Sequence, residues 1–162
     1  MTEMERIEDG LISDGAIVDD QILGPGDPAG LYVSAPDRAP LVLVNRRLTG
    51  RRRLCVLAEE AGHHYKSFGP AVDELDATQR RNELAGRRWA YQRLVPLDRL
   101  ICAWRRGNRT RPEMAAYFGV TEDFFDAALA YYHAKHGIQK TYPGWVIRFD
   151  PYFTIYRVRD YN

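Results

Sequence analysis

The chain has 162 residues, a formal net charge of +1 at pH 7, and 45% hydrophobic and 28% charged residues, a composition typical of a globular domain with a buried core. The near-neutral charge argues against binding a polyanion through the charge of the whole chain. No apolar run reaches the ~18 residues of a membrane-spanning helix, and the two distant cysteines, Cys55 and Cys102, predict neither a disulfide framework nor a zinc knuckle.

The N-terminal third predicts a small sheet. Residues 1–5 are acidic and lack the apolar segment of a signal peptide, so a cytoplasmic location without membrane contact is expected. Residues 1–28 predict a short helix or strand and then a loop, because turn formers collect at 24–28. Residues 30–33 and 41–45 are rich in β-branched and aromatic side chains and predict a hairpin or a small antiparallel sheet.

A helix predicted from residue 51 to about 68 carries the most informative motif, Glu-Glu-Ala-Gly-His-His at 59–64. Its apolar face is predicted to consist of Leu54, Leu57, Ala58 and Ala61. Residues four apart lie on one helix face, so Glu59 and His63 point the same way and Glu60 lies beside them. Two metal ligands one turn apart, with a glutamate after the first, form the helix of zinc peptidases, although the first ligand there is histidine. The alternative is an ordinary Glu/His charge cluster on a helix surface.

Gly62 lowers helix propensity by about 1 kcal/mol relative to alanine, a cost that is understandable if another segment approaches the backbone there. Gly69-Pro70 is predicted to end this helix. A second helix is predicted from about 77 to 94, and the connection is long enough to return Glu83 to face the first helix. The arginines clustered at 46–53 and 80–88 are interpreted as solvated helix faces, with an acidic partner surface as the alternative.

The C-terminal part predicts a helix at 97–104, two further helices at 112–118 and from Thr121 to about 136, and a closing pair of strands at 142–149 and 153–158. The two further helices resemble a DNA-binding helix-turn-helix. The second of them nevertheless opens with acidic residues that phosphates would repel, so packing or partner docking is favoured and no direct nucleic-acid contact is predicted.

Three segments resemble the ImmA/IrrE metallopeptidases, which are encoded largely by phages, integrative elements and stress-response loci. Residues 57–65 are similar to the motif helix of that family, 82–96 to its second helix and 30–45 to its hairpin. The resemblance implies an α+β fold: a small antiparallel sheet packed on a zincin-like two-helix metal core, then a C-terminal helical segment and a closing β-hairpin. The implied organisation is a single domain, 1–162, with its peptidase core at 30–96 and its C-terminal part at 97–162.

The same resemblance implies a metal-dependent endopeptidase whose substrate is a helix-turn-helix transcriptional repressor. It makes Glu60 the general base and Glu59, His63 and Glu83 the metal ligands. Because Glu59 replaces a histidine, the ligand set is harder and more anionic; Zn²⁺ is the expected metal, with Mn²⁺ as the alternative. A second function stays open: a degenerate member of the family that binds its repressor without cutting it.

Overall fold

A computed structural model of the protein describes residues 1–22, 24–66 and 75–158. Its chain forms two compact units that divide after residue 90. The α+β class is confirmed, whereas the predicted organisation as one domain stays a prediction. The elements in chain order are α1 (Glu3–Ser13), β1 (Ile17–Gln21), β2 (Gly30–Ala35), β3 (Arg38–Asn45), α2 (Gly50–Lys66), α3 (Leu75–Leu94), α4 (Leu97–Arg105), α5 (Arg111–Phe118), α6 (Glu122–His136), β4 (Gln139–Tyr142), β5 (Trp145–Arg148) and β6 (Thr154–Arg157).

The sheet of the first unit is mixed, which corrects the predicted antiparallel sheet. β3 lies in the centre, with β2 antiparallel on one side and β1 parallel on the other. The β2–β3 hairpin is therefore as expected, but β1 was not predicted as a separate strand. Its sequence, Ile-Val-Asp-Asp-Gln, contains two acidic residues and leaves its side chains exposed or half-buried, so it lacks the apolar pattern by which a strand is recognised.

Helix α2 packs against β2, β3 and α1, and this packing forms the core of the first unit. The predicted apolar face of α2 is confirmed, because Leu54, Leu57, Ala58 and Ala61 are all buried. Val42 and Val44 of β3 are buried in the same core. The α2 helix thereby has one fixed rotation about its axis, and this rotation determines where its ionisable residues lie.

The start of α2 and the end of α3 agree closely with the sequence pattern. Helix α2 runs over Gly50–Lys66, and the end predicted at Gly69-Pro70 lies outside the described residues. Helix α3 begins at Leu75, slightly before the predicted start, and ends at Leu94 before Pro96. No helix in the described ranges combines the length and the apolarity that crossing a membrane requires.

The second unit contains α4 to α6 and a closing sheet that differs from the predicted hairpin. Strands β4, β5 and β6 form a three-stranded antiparallel sheet in that order. The prediction ran one strand from 142 to 149, whereas the chain turns at Pro143-Gly144, where Gly144 has a φ of 74°. A left-handed backbone at this glycine permits the tight turn, and the strand before it, Gln139–Tyr142, is too polar to be recognised from its sequence.

Candidate metal centre

The ionisable motif lies on α2 at the margin of the core in the first unit. The neighbouring Leu57, Ala58 and Ala61 are fully buried, so the helix rotation leaves the side chains at 59, 60 and 63 half-buried. A partly desolvated position of this kind strengthens electrostatic interactions without isolating the groups from solvent.

Helices α2 and α3 come into backbone contact at Gly62 and Gly86. A methyl group placed on Gly62 would overlap the carbonyl oxygen of Gly86. A methyl group placed on Gly86 would lie 2.7 Å from Nδ1 of His63. The close approach that Gly62 predicted is confirmed, and the absence of a side chain at Gly86 makes room for the His63 ring.

This helix contact brings His63 and Glu83 together. Nε2 of His63 lies 3.3 Å from Oε2 of Glu83, and the two side chains are 15% and 48% exposed. The other carboxylate oxygen of Glu83, Oε1, lies 2.8 Å from Nη2 of Arg87. Glu83 therefore faces the first helix as expected, and two of the three predicted metal ligands meet although they come from separate segments.

The charges of Glu83 and Arg87 act on Glu59. Burial raises the pKa of the Glu59 carboxyl, and the Glu83 carboxylate raises it further. The guanidinium of Arg87 opposes both effects. The third predicted ligand is thus electrostatically coupled to the second helix, one turn before His63 on its own helix.

Glu60 lies on the side of α2 that faces the sheet. Burial, assisted by the carboxylates of Glu59 and Glu83, raises the pKa of Glu60 to about 7. The backbone N–H of Tyr32 donates a hydrogen bond to Glu60, which acts in the opposite direction. A methyl group on Gly30 would lie 2.8 Å from Oε1, so the carboxyl rests directly against β2. A carboxyl with this pKa exchanges protons readily near neutral pH.

A row of aromatic rings packs beside the ionisable residues. His64 lies edge-on to Tyr32 at 5.7 Å and to Tyr65 at 5.0 Å between ring centroids. Tyr65 in turn stacks on Trp89 of α3 at 5.1 Å. These contacts attach the C-terminal half of α2 to both β2 and α3, and thereby hold the two sides of the site in place.

The donor chemistry fits a divalent cation, although the ligand set is not assembled. In the described part of the chain, no group of three or more His, Cys, Asp or Glu side chains is placed to hold a metal ion. Imidazole nitrogen and carboxylate oxygen are nevertheless ligands that Zn²⁺ and Mn²⁺ accept. Burial raises the pKa values of Glu59 and Glu60, repulsion from neighbouring carboxylates raises them further, and a cation would relieve that repulsion. The set Glu59, His63 and Glu83 stays a prediction.

Sequence reasoning missed two contributors to this site, Arg87 and Gly86. Arg87 was grouped with the solvated arginines, although its position four residues after Glu83 was a usable signal for an ion pair on one helix face. Gly86 carries the same signal as Gly62, a glycine inside a predicted helix, and that signal was not used. The Tyr32 hydrogen bond to Glu60 comes from the backbone and therefore does not depend on which side chain occupies that position.

Comparison with protein families identifies the class of molecule. Residues 17–130 match the M78 peptidase family model, described as the IrrE N-terminal-like domain. A comparison with curated proteins gave no match. The matched range covers well over half of the chain and includes Glu59, Glu60, His63 and Glu83. On this basis the chain belongs to the ImmA/IrrE family of metallopeptidases.

Proposed function

We propose that the protein is a metal-dependent endopeptidase in which Glu60 is the general base and Glu59, His63 and Glu83 hold the metal. The observation that carries the proposal is the meeting of His63 and Glu83 across two helices, at 3.3 Å. Beside them lies Glu60, whose pKa is raised to about 7. An imidazole and a carboxylate that can hold a metal, beside a carboxyl able to exchange protons at neutral pH, are groups suited to metal-assisted peptide hydrolysis.

The proposed reaction uses the bound cation, the Glu60 carboxyl and the backbone N–H of Tyr32 in different ways. When bound, a divalent cation supplies the Lewis acidity that polarises the scissile carbonyl and acidifies water. Ionised Glu60 removes a proton from the attacking water while the new C–O bond forms at the carbonyl carbon. As the C–N bond breaks, Glu60 returns that proton to the leaving amine. The N–H of Tyr32 orients the Glu60 carboxyl throughout.

The substrate backbone is proposed to bind along β2. The strand order β1-β3-β2 leaves one edge of β2 without a neighbouring strand among the described residues. An extended peptide can add to such an edge through main-chain hydrogen bonds. Leu31 and Val33 are 42% and 43% exposed on this strand and offer apolar contacts to peptide side chains. A peptide bound there would pass next to Glu60.

A helix-turn-helix repressor is the proposed protein substrate, and the resemblance to ImmA/IrrE enzymes supports it. Zn²⁺ is the proposed metal and Mn²⁺ the alternative, because the ligand set contains two carboxylates. Direct nucleic-acid binding is not part of the proposal. In α6 the acidic residues Glu122 and Asp123 occupy the first turn, the position at which a recognition helix contacts DNA.

The test is to incubate the protein with purified helix-turn-helix repressors, in the presence of Zn²⁺ or Mn²⁺, and to detect fragments by mass spectrometry. We expect cleavage by the wild type and a loss of about 100-fold or more for Glu60→Gln, which keeps the shape of the side chain but cannot accept the proton. Equal cleavage by both proteins would contradict the role of Glu60.

A second candidate function is binding of the repressor without proteolysis. It is favoured by the finding that the described residues contain no assembled group of three metal-ligating side chains. This alternative predicts a stable complex on size-exclusion chromatography, intact repressor, and the same affinity for wild type and Glu60→Gln.

A further inference from the structure

We infer that Arg87 is a positioning residue for the metal ligand Glu83 and compensates the charge that Glu59 adds to the site. The inference rests on the proposed metal set. It concerns a residue on the outer side of that set, which touches a ligand and would not touch the metal or the substrate.

The first observation is that the two carboxylate oxygens of Glu83 face different partners. Oε1 accepts from Nη2 of Arg87 at 2.8 Å, and Oε2 faces Nε2 of His63 at 3.3 Å. The guanidinium therefore determines which oxygen is presented to the imidazole. The Glu83 side chain is 48% exposed, so without Arg87 it would be free to turn into solvent.

The second observation concerns charge. Glu59, Glu60 and Glu83 bring three carboxyl groups to the proposed site. Arg87 is the cation whose guanidinium pairs with one of them, Glu83. With the carboxylates ionised and His63 neutral, one divalent cation leaves a charge of −1, which Arg87 balances. With a neutral histidine at position 59, one divalent cation would already balance the two remaining carboxylates, and no further cation would be required.

An exposed Glu–Arg pair four residues apart on a helix is by itself an ordinary surface feature. One fact distinguishes Arg87 from such a pair: its partner, Glu83, also faces His63 on the other helix. The adjacent Arg88 is exposed and chemically identical, and in the described structure it has no comparable contact. Arg88 therefore provides a matched control.

The test measures metal affinity of the full chain after removal of metal by a chelator. Zn²⁺ and Mn²⁺ are titrated separately by calorimetry into wild type, Arg87→Ala, Arg87→Lys and Arg88→Ala. We expect Arg87→Ala to weaken affinity by about 10–100-fold, as is typical when a partner of a metal ligand is lost. Arg87→Lys should be intermediate, because it keeps the charge and loses the planar fork. Arg88→Ala should bind like the wild type.

An unchanged or tighter affinity for Arg87→Ala, or an equal loss for Arg88→Ala, would overturn the inference. Circular dichroism without metal checks folding; if Arg87→Ala does not fold, the comparison of Arg87→Lys with wild type and Arg88→Ala decides in the same way. A wild type that binds metal but cuts no repressor refutes the proposed peptidase activity and leaves the Arg87 result standing. A wild type that binds neither ion refutes the metal set together with this inference.

Discussion

At the scale of single residues, the surroundings of Glu60 change the acidity of the proposed general base. Its carboxyl is held between β2 and the other carboxylates, and its pKa is raised to about 7 mainly by burial. Above that pH the folded protein keeps a charge that its surroundings disfavour. Such a cost to stability is common at functional sites, where the geometry serves the reaction rather than the fold.

This cost predicts a pH-dependent stability of the metal-free protein. The folded pKa of Glu60 lies above its ordinary value of 4.5, so folding is favoured by proton binding, and that contribution is lost as the pH rises through about 7. Glu60→Gln removes the effect. With allowance for solvent screening, we expect the variant to be more stable than wild type by about 1–2 kcal/mol at pH 8 and equal to it near pH 4.

The measurement is urea unfolding at both pH values in the presence of a chelator. Glu113 provides a control of opposite sign. Backbone N–H groups of Thr110 and Arg109 lower its pKa, so Glu113→Gln should lower stability at pH 8, and the loss should diminish as the pH falls below the unfolded pKa. A Glu60→Gln effect of the same size at both pH values would show that the gain does not come from titration.

At the scale of elements, the sequence was informative about features that depend on one element alone, such as its buried face and its ends. The apolar spacing of α2 predicted its buried face, and Thr121 and Gly137 predicted the ends of α6. The sequence was uninformative where the structure depends on how two elements pair or cross. β1 is a polar strand recognised only by its pairing with β3, and the α2–α3 contact depends on where two glycines meet. Glu83 was predicted through the family motif, whereas Arg87 was not.

The glycine contact predicts different outcomes for two similar substitutions. Gly62→Ala places a methyl group against the Gly86 backbone, so the helices must separate. We expect a loss of about 1–3 kcal/mol of stability, despite a gain of about 1 kcal/mol in helix propensity. Gly86→Ala meets the His63 ring, which can turn aside. We therefore expect a smaller loss of stability but weaker metal binding.

Urea unfolding and Zn²⁺ calorimetry separate the two outcomes. Arg88→Ala compared with Arg88→Gly, at an exposed position on the same helix, measures the propensity difference without the contact. If both glycine variants were more stable than the wild type, the close approach of the helices would be refuted.

At the scale of the whole molecule, the proposed metal set connects two long helices of the first unit. In the described structure the side-chain contacts between them include the His63–Glu83 pair and the Tyr65–Trp89 stack. The family match begins at β1 and extends to residue 130, into the second unit. An ion shared by α2 and α3 would therefore stabilise the folded state, because the unfolded chain keeps its ligands far apart.

The prediction is a rise in thermal stability on addition of Zn²⁺. At a free concentration about 100 times the dissociation constant, binding to the folded state alone contributes about 2.7 kcal/mol. Scanning calorimetry of the full chain should show a higher Tm with Zn²⁺ and reversal by a chelator. Glu83→Gln, which loses a charged ligand on an exposed side chain, is the control. An equal rise for this variant would place the ion elsewhere.

The contact between Gly62 and Gly86 also bears on which ion the protein selects. Two backbones that already touch cannot move closer, so the helices cannot contract around a small ion. In the proposed metal set, differences in ionic radius would then be absorbed by the torsion angles of Glu59 and Glu83, whose side chains are long and rotatable. The proposed set therefore predicts that the length of the ligating side chains controls metal preference, and that exchanging Glu59 for the shorter aspartate alters the preference without changing the fold.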